Sequence, residues 1–351
     1  MQVLILGNMG YVGPVLASHL RSALPGAHLV GYDSGLFAHA VSSRGRHPES
    51  ALNVQIFGDV RDIGPELFRG MDAVVQLAAI SNDPMGDRFA AVTDEINRQV
   101  SIRAAALARD QGVRHYVFAS SCSIYGHAES EARSETSPVH PLTAYARSKV
   151  DAELALRDMD RGGMIVTCLR FATACGMSPR LRLDLVLNDF VASALATGQV
   201  AILSDGTPWR PLIDVADMAR AIEWAIGRSE ASGGGFLVVN TGRDEANYRV
   251  RDVADAVASA VPGTRVSVNP AAPPDRRSYR VDFSLYRALA PEAQPRLDLQ
   301  ASIGRLVEGL RAIDFADATF RESDLIRLRV LDQHIAAQRV SPALRWVVAD
   351  A

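Results

Sequence analysis

Lysine is almost missing from this chain: of its 37 basic residues only Lys149 is not an arginine. The arginines are scattered among 40 acidic residues for a net charge of −3, so they read as solvated surface with a few anion ligands among them. With no basic block, the electrostatic footprint of a nucleic-acid or membrane-surface binder is excluded. Cysteine is scarce too. Cys122, Cys168 and Cys175 are an odd number without metal-ligand spacing, which excludes a disulfide framework and a metal site and fits a reducing cytoplasm. No apolar run approaches the ~18 residues of a membrane span, and the opening "MQVLILG" lacks the basic leader of a signal peptide. Internal repeats and low-complexity tracts are also lacking.

What is present is a strand-and-helix rhythm. The runs "QVLILG", "AHLVGYD", "ALNVQIFGD", "MDAVVQLAA", "VRHYVFASS" and "GMIVTCLRF" are continuously apolar and separated by segments of helical periodicity, with long helices predicted at 91–111 and 143–160. Continuous rather than alternating apolar runs mean strands buried on both faces, hence a parallel sheet between helical layers. At 351 residues the chain exceeds the ~100–200 of one domain, and after residue 175 the rhythm turns irregular. The expected architecture is a Rossmann-type doubly wound α/β domain over 1–174, then a smaller C-terminal α+β lobe mainly over 175–351. Segments around 209–240 are expected to return to the first domain. The residues from Glu322 onward read as helical, packing on the lobe or on a partner subunit.

"GNMGYVG" places Gly7, Gly10 and Gly13 between the first strand and its helix, with Tyr11 and Val12 between them. Glycine allows the tight turn and the close approach of a pyrophosphate, for which the helix N-terminus supplies amides and a positive dipole. Asp33 lies 20 residues past Gly13 at the end of the second strand, where a carboxylate accepts from an adenosine ribose and repels a 2′-phosphate. NAD rather than NADP is the expected cofactor; the alternative is that Asp33 merely opens a turn. Asp59, followed by Val60 in "FGDVRD", is either an adenine ligand or a turn former.

Tyr145 and Lys149 are four residues apart on a predicted helix and share a face. A phenol of pKa ~10 is a poor base at neutral pH, and lowering it by ~3 units takes about 4 kcal/mol of differential stabilisation. A nearby ammonium and a positive nicotinamide ring are expected to supply that. A compact ammonium can donate to both cofactor ribose hydroxyls, which a planar guanidinium does less well, and this explains a lone surviving lysine. The bland alternative is a surface lysine kept by chance. Ser121, in "ASSCSIYG", falls at the carboxyl edge of the fifth strand, where ligands bind in open α/β sheets and where its hydroxyl can share the proton Tyr145 removes.

Taken together, the glycine triplet, Asp33, "LAA" at 77–79, Asn97, "SSCSIYG" and Tyr145-x-x-x-Lys149 resemble the extended short-chain dehydrogenase/reductase family, in its NAD-dependent epimerase/dehydratase branch acting on nucleotide sugars. The resemblance implies Ser121, Tyr145 and Lys149 as catalytic residues, and Leu77, Ala78, Ala79 and Asn97 near the cofactor. It also implies a substrate lobe in which Arg210 binds a nucleotide diphosphate, with Ser81, Thr173, Asp275, Arg276 and Tyr279 as further substrate contacts. By charge alone Arg210 is equally readable as a surface ion-pair partner. A homodimer through the two long helices follows from the resemblance, not from the residues.

Two departures stand out. Thr173 occupies a position where many relatives carry a diphosphate-contacting asparagine. Cys122 and Ser123 stand where nucleotide-sugar 4,6-dehydratases carry an Asp-Glu acid and base, so ordinary 4,6-dehydration lacks its proton donors. Cys122 itself reads either as a packed strand-end residue or as an acid/base group of lowered pKa.

The leading expectation is an NAD-dependent nucleotide-sugar epimerase inverting C4 through a transient 4-keto intermediate, the cofactor staying bound because net redox change is zero. The alternatives are a dehydratase of unusual regiochemistry using Cys122, or a 4-ketosugar reductase. A non-enzymatic NAD-binding module is disfavoured by the intact Ser121, Tyr145 and Lys149. If the shape of the ammonium matters, Lys149→Arg loses turnover despite keeping its charge; full turnover in that variant would refute the assignment.

Overall fold

The computed structural model describes residues 1–128, 131–268 and 277–347. The first half alternates regularly: β1 (Gln2–Leu6), α1 (Gly13–Ala23), β2 (His28–Asp33), β3 (Val54–Phe57), β4 (Ala73–Gln76), α2 (Asp83–Arg88), α3 (Ala90–Thr93), α4 (Val100–Asp110), β5 (His115–Ser121), α5 (Ala144–Asp158) and β6 (Ile165–Phe171). There follow β7 (Thr173–Cys175), α6 (Val186–Thr197), β8 (Gln199–Ile202), β9 (Trp209–Asp214), α7 (Val215–Gly227), β10 (Phe236–Thr241), β11 (Asn247–Arg249), α8 (Val250–Ala260), β12 (Arg265–Val268), α9 (Ser284–Leu289), α10 (Leu299–Ala312) and α11 (Arg327–Ala336).

Seven strands form one parallel sheet in the order β10-β6-β5-β4-β1-β2-β3. Successive residues of β1 enter opposite cores, as the continuous apolar runs require: Val3 and Ile5 pack with Leu16 and Leu20 of α1 and Ile222 of α7. Leu4 and Leu6 pack with Ala104 and Ala108 of α4. The strand order reverses between β1 and β4, and the carboxyl edge at that switch point is where such sheets bind ligands. The helix predicted at 91–111 is α3 and α4 joined through a π-helical turn at Asp94–Gln99. Such turns cluster at functional sites.

The lobe is built on a third core of Leu187, Val191, Val253, Val257, Ile303 and Leu306 from α6, α8 and α10. Between them the chain comes back to the large sheet, where α7 packs beside α1 and β10 pairs with β6. The C-terminal segment differs from expectation. Rather than sitting only on the lobe, it buries Leu331, Val340 and Leu344 in the same core as Leu4, Leu6 and Phe118. Among the described residues no helix is long and apolar enough to cross a membrane.

One buried polar group ties the catalytic helix to the sheet. Glu153 of α5 accepts from the Ser120 hydroxyl of β5 at 2.5 Å and from the Arg170 guanidinium of β6 at 2.7–3.1 Å. Arg170 also donates to Tyr125 Oη at 3.0 Å, and that hydroxyl donates to Asn240 Oδ1 of β10 at 2.7 Å. Glu153 and Arg170 are both buried, so removing one partner leaves a charge without compensation. Glu153→Leu is expected to cost about 3–5 kcal/mol in urea unfolding. Adding Arg170→Met should recover most of that loss; a double variant no more stable than the single one would show that the pair is not the cause.

Candidate active site

A cavity of about 1070 Å³ runs along the carboxyl edge of the sheet and under the lobe, above the ordinary range for one small ligand. Gly7, Gly10, Tyr11 and Val12 line its floor. Gly7 has φ +85°, and a Cβ there would collide with the backbone of Ala78; at Gly13 it would collide with that of Asn8. Only glycine lets these backbones close up. Helix α1 begins behind them with no side-chain cap and no acidic residue in its first turn, so its free amides and dipole face the cavity as an anion site. Asp33 lines the next stretch, its buried carboxylate accepting the Met9 amide at 2.9 Å and the Gly35 amide at 2.8 Å, and burial raises its pKa. These features fit a dinucleotide.

Leu77, Ala78, Ala79 and Val60 line the same channel. Asp59 lines it too, but its carboxylate is taken by Arg61 at 2.6–2.9 Å, so the turn-forming role is the one the geometry displays. Asn97 does not line the cavity. It is fully buried, accepts the Ile80 amide at 2.8 Å and donates to the Ile80 carbonyl and to Ser148 Oγ at 3.0 Å. It sits behind the loop after β4, whose Ile80 backbone it holds in position.

Ser121, Tyr145 and Lys149 come together at one edge of the cavity. Thr143 caps α5 through the Ala146 amide at 3.1 Å, which sets Tyr145 in the first turn and Lys149 one turn later. Ser121 Oγ accepts the Ser123 amide at 3.1 Å, and its side chain is near enough to the Tyr145 hydroxyl to lower that group's pKa. Lys149 Nζ donates to the Ala119 carbonyl at 2.7 Å and lies 4.6 Å from the Phe118 ring centroid and 5.7 Å from that of Tyr145. The electrostatics depart from expectation. Burial pushes Tyr145 up to about 12 and pulls Lys149 down to about 7. The cation that lowers Tyr145 is Arg182, opposed by Asp83.

Arg182 was not legible in the sequence beyond its place in an irregular loop. It is buried at the cavity wall, bonded to Asp184 through Nε at 2.9 Å and Nη2 at 3.0 Å, and donates to Ser81 Oγ at 2.9 Å. Ser123 was noted only as a lost carboxylate, yet it lines the cavity and its buried hydroxyl has no partner among the described residues. The catalytic reading of Cys122 is corrected. The short helix after Ser121 turns this side chain inward, fully buried, to the Arg170 carbonyl at 3.1 Å, and burial raises its pKa far above the thiolate range. It packs; it does not reach the cavity.

On the lobe side, Thr173 of β7, Arg210 of β9 and Tyr279 line the cavity together. Arg210 donates to the carbonyls of Trp209 and Arg277. Asp275 and Arg276 lie outside the described residues. Five carboxylates line the cavity among the described residues, and all are held: Asp33 by amides, and Asp59, Asp83, Asp184 and Asp189 by Arg61, Arg277, Arg182 and Arg321 respectively.

A phenol, a hydroxyl and an amine gathered beside a glycine-rich dinucleotide floor define a Rossmann-fold, nicotinamide-dependent enzyme. The sequence model of the NAD dependent epimerase/dehydratase family matches residues 3–242, and the chain belongs to that family. It is 28% identical over 329 residues to a UDP-glucose 4-epimerase of Mycolicibacterium smegmatis, covering 89% of this chain and 99% of the relative. It is 24% identical over 337 residues to a dTDP-glucose 4,6-dehydratase of an Actinoplanes strain, covering 89% and 98%. Among solved structures, MoeE5 in complex with UDP-glucuronic acid and NAD superposes with TM-score 0.75 at 26% identity, covering 89% of this chain and 99% of that one.

The single lysine permits a direct test of the site's electrostatics. In protein labelled only with [13Cε]lysine, one side-chain signal should titrate near pH 7, the ammonium being lost as pH rises through that value. A midpoint near the ~10.4 of an ordinary lysine would contradict the burial account.

Proposed function

We propose that the protein is a nucleotide-sugar 4-epimerase, with UDP-hexoses as its substrate class. The observation that carries this reading is that, among the described residues, the proton-handling groups at the catalytic edge that no ion pair holds are hydroxyls and one amine. Tyr145 and Ser121 can take a proton from a sugar hydroxyl and return it, while every cavity carboxylate among the described residues is held by arginine or by backbone amides. Dehydration needs a separate acid for the departing hydroxyl and a base for the neighbouring C–H, and among the described residues no free pair of that kind lies beside Ser121. The burial of Cys122 removes the one thiol that could have served.

NAD, held by Gly7, Gly10, Tyr11, Val12 and Asp33, supplies a reversible hydride acceptor. The chain's own residues do the rest. Ser121 orients the 4-hydroxyl towards Tyr145 Oη and shares its proton. Arg182 biases the phenol towards giving that proton up, against the burial that holds it. Ser123 offers its unpartnered hydroxyl to the sugar, and Thr173, Arg210 and Tyr279 face the nucleotide. Likeness over nearly the full length of a UDP-glucose 4-epimerase supports the same reading.

The test is a panel of UDP- and dTDP-sugars followed by proton NMR, with no nicotinamide cofactor added. The expected product is the C4 epimer at unchanged mass, and Tyr145→Phe should reduce its formation by about 10²–10⁴-fold. A product lighter by one water, or turnover only when reduced cofactor is consumed, would replace the epimerase reading with a dehydratase or a reductase.

A further inference from the structure

Three buried arginines stand together where the lobe meets the loop after β2, and they differ in how their charge is met. Arg180 donates to the Phe37 and Ala38 carbonyls at 2.8 and 2.6 Å and pairs with Glu49 at 2.7 Å. Arg182 pairs with Asp184. Arg327, the first residue of α11, is 2% exposed and makes no ion pair among the described residues. Its guanidinium donates only to the carbonyls of Arg180 at 3.0 Å and Asp324 at 3.3 Å, and stacks 4.8 Å from the Phe37 ring centroid. Burial, with Arg182 and Arg180 nearby, pulls its pKa down to about 9. Asp184 and Asp324 act on it only from a distance, and a buried cation without a direct ion pair is costly unless a ligand supplies one. Arg327 lines the large cavity.

The surroundings say which anion. The segment that Arg327 touches is fastened to the glycine loop: Ser178 Oγ donates to the Tyr11 carbonyl at 2.7 Å, and Tyr11 Oη to the Gly176 carbonyl at 2.5 Å. Phe37 follows Asp33 by four residues. The rest of the tail holds the same half of the cavity. His334 bonds to the Leu36 carbonyl at 2.9 Å, Trp346 Nε1 donates to the Ser34 carbonyl at 2.6 Å, and Arg61 donates to the carbonyls of Ala343 and Leu344 at 2.8 and 3.1 Å. The groups facing the nucleotide of the substrate, Thr173, Arg210 and Tyr279, are on β7, β9 and the lobe.

We propose that Arg327 is a ligand of the cofactor's pyrophosphate, facing the amino end of α1 across the channel, so that the C-terminal tail forms a wall of the dinucleotide site. The inference stands apart from the sugar chemistry, since it concerns retention of NAD whichever sugar is turned over. A nucleotide sugar carries the same diphosphate chemistry, so the test must separate the two.

In cofactor-stripped protein, affinities for ADP-ribose, adenosine and UDP are measured by calorimetry for the native chain, Arg327→Met and Arg327→Lys. Arg327→Met should weaken ADP-ribose by about 10- to 100-fold, the loss of a charge-assisted hydrogen bond, while adenosine and UDP bind as before. Arg327→Lys should restore part of the loss. Relieved of a buried charge, the ligand-free Met variant should melt no lower than the native chain. Unchanged ADP-ribose affinity would overturn the proposal, as would a loss confined to UDP, which would move Arg327 to the substrate's diphosphate. A Met variant that melts lower with all three ligands weakened alike, unrescued by Lys, would make Arg327 purely structural. Failure of UDP to bind even the native chain would count against the sugar reading and leave the ADP-ribose comparison decisive for Arg327.

Discussion

The contact between Glu153 and Arg170 sets the position of everything that reacts. Tyr145, Lys149 and Glu153 are on one helix at four-residue steps, so they share a face and cannot be adjusted separately. Glu153 locks that face to β5 through Ser120 and to β6 through Arg170, and those two residues are directly opposed in the sheet. Ser121 is the next residue of β5. A rotation or slide of α5 that moved Tyr145 away from Ser121 would therefore have to pull a carboxylate off a guanidinium in a region without water to replace it. The register of the catalytic groups is inherited from a contact that touches no ligand.

Around this rigid edge the cavity is densely charged, and most of its carboxylates are paired with arginine. Asp83 reaches Arg277 and Thr143, Asp184 reaches Arg182 and Asn82, and Asp189 reaches Arg321. Pairing of this sort fixes side chains that would otherwise be mobile and removes them from proton exchange at neutral pH. Tyr145 is then the group whose protonation the surroundings can adjust, between the burial that raises its pKa and the Ser121 side chain and Arg182 charge that lower it.

Much of this was legible in the sequence because it is local. The glycine triplet, the carboxylate at the end of the second strand and the i, i+4 pair on a helix each express one element's geometry, and Gly7, Asp33, Tyr145 and Lys149 all line the cavity. Cys122 and Ser123 were harder. Neighbours in sequence at the end of a strand can face opposite ways, and only the short helix Cys122–Tyr125 decides that the thiol turns into the core while Ser123 lines the cavity. Arg182 and Arg327 could not be found from spacing, since what distinguishes them among so many arginines is burial against segments over a hundred residues away. Asn97 was found, but not its contacts: its amide serves the backbone of Ile80.

The burial of the single lysine bears on the chemistry of the whole surface. Lys149 is 3% exposed, so apart from its α-amino group the folded molecule presents no primary amine to solvent. Beyond that terminus, amine acylation and amine-directed crosslinking have no target on its exterior, however crowded with arginine that exterior is. The one amine that remains becomes reachable only when the catalytic edge opens, so a lysine reagent applied to this protein reports on the breathing of its active site.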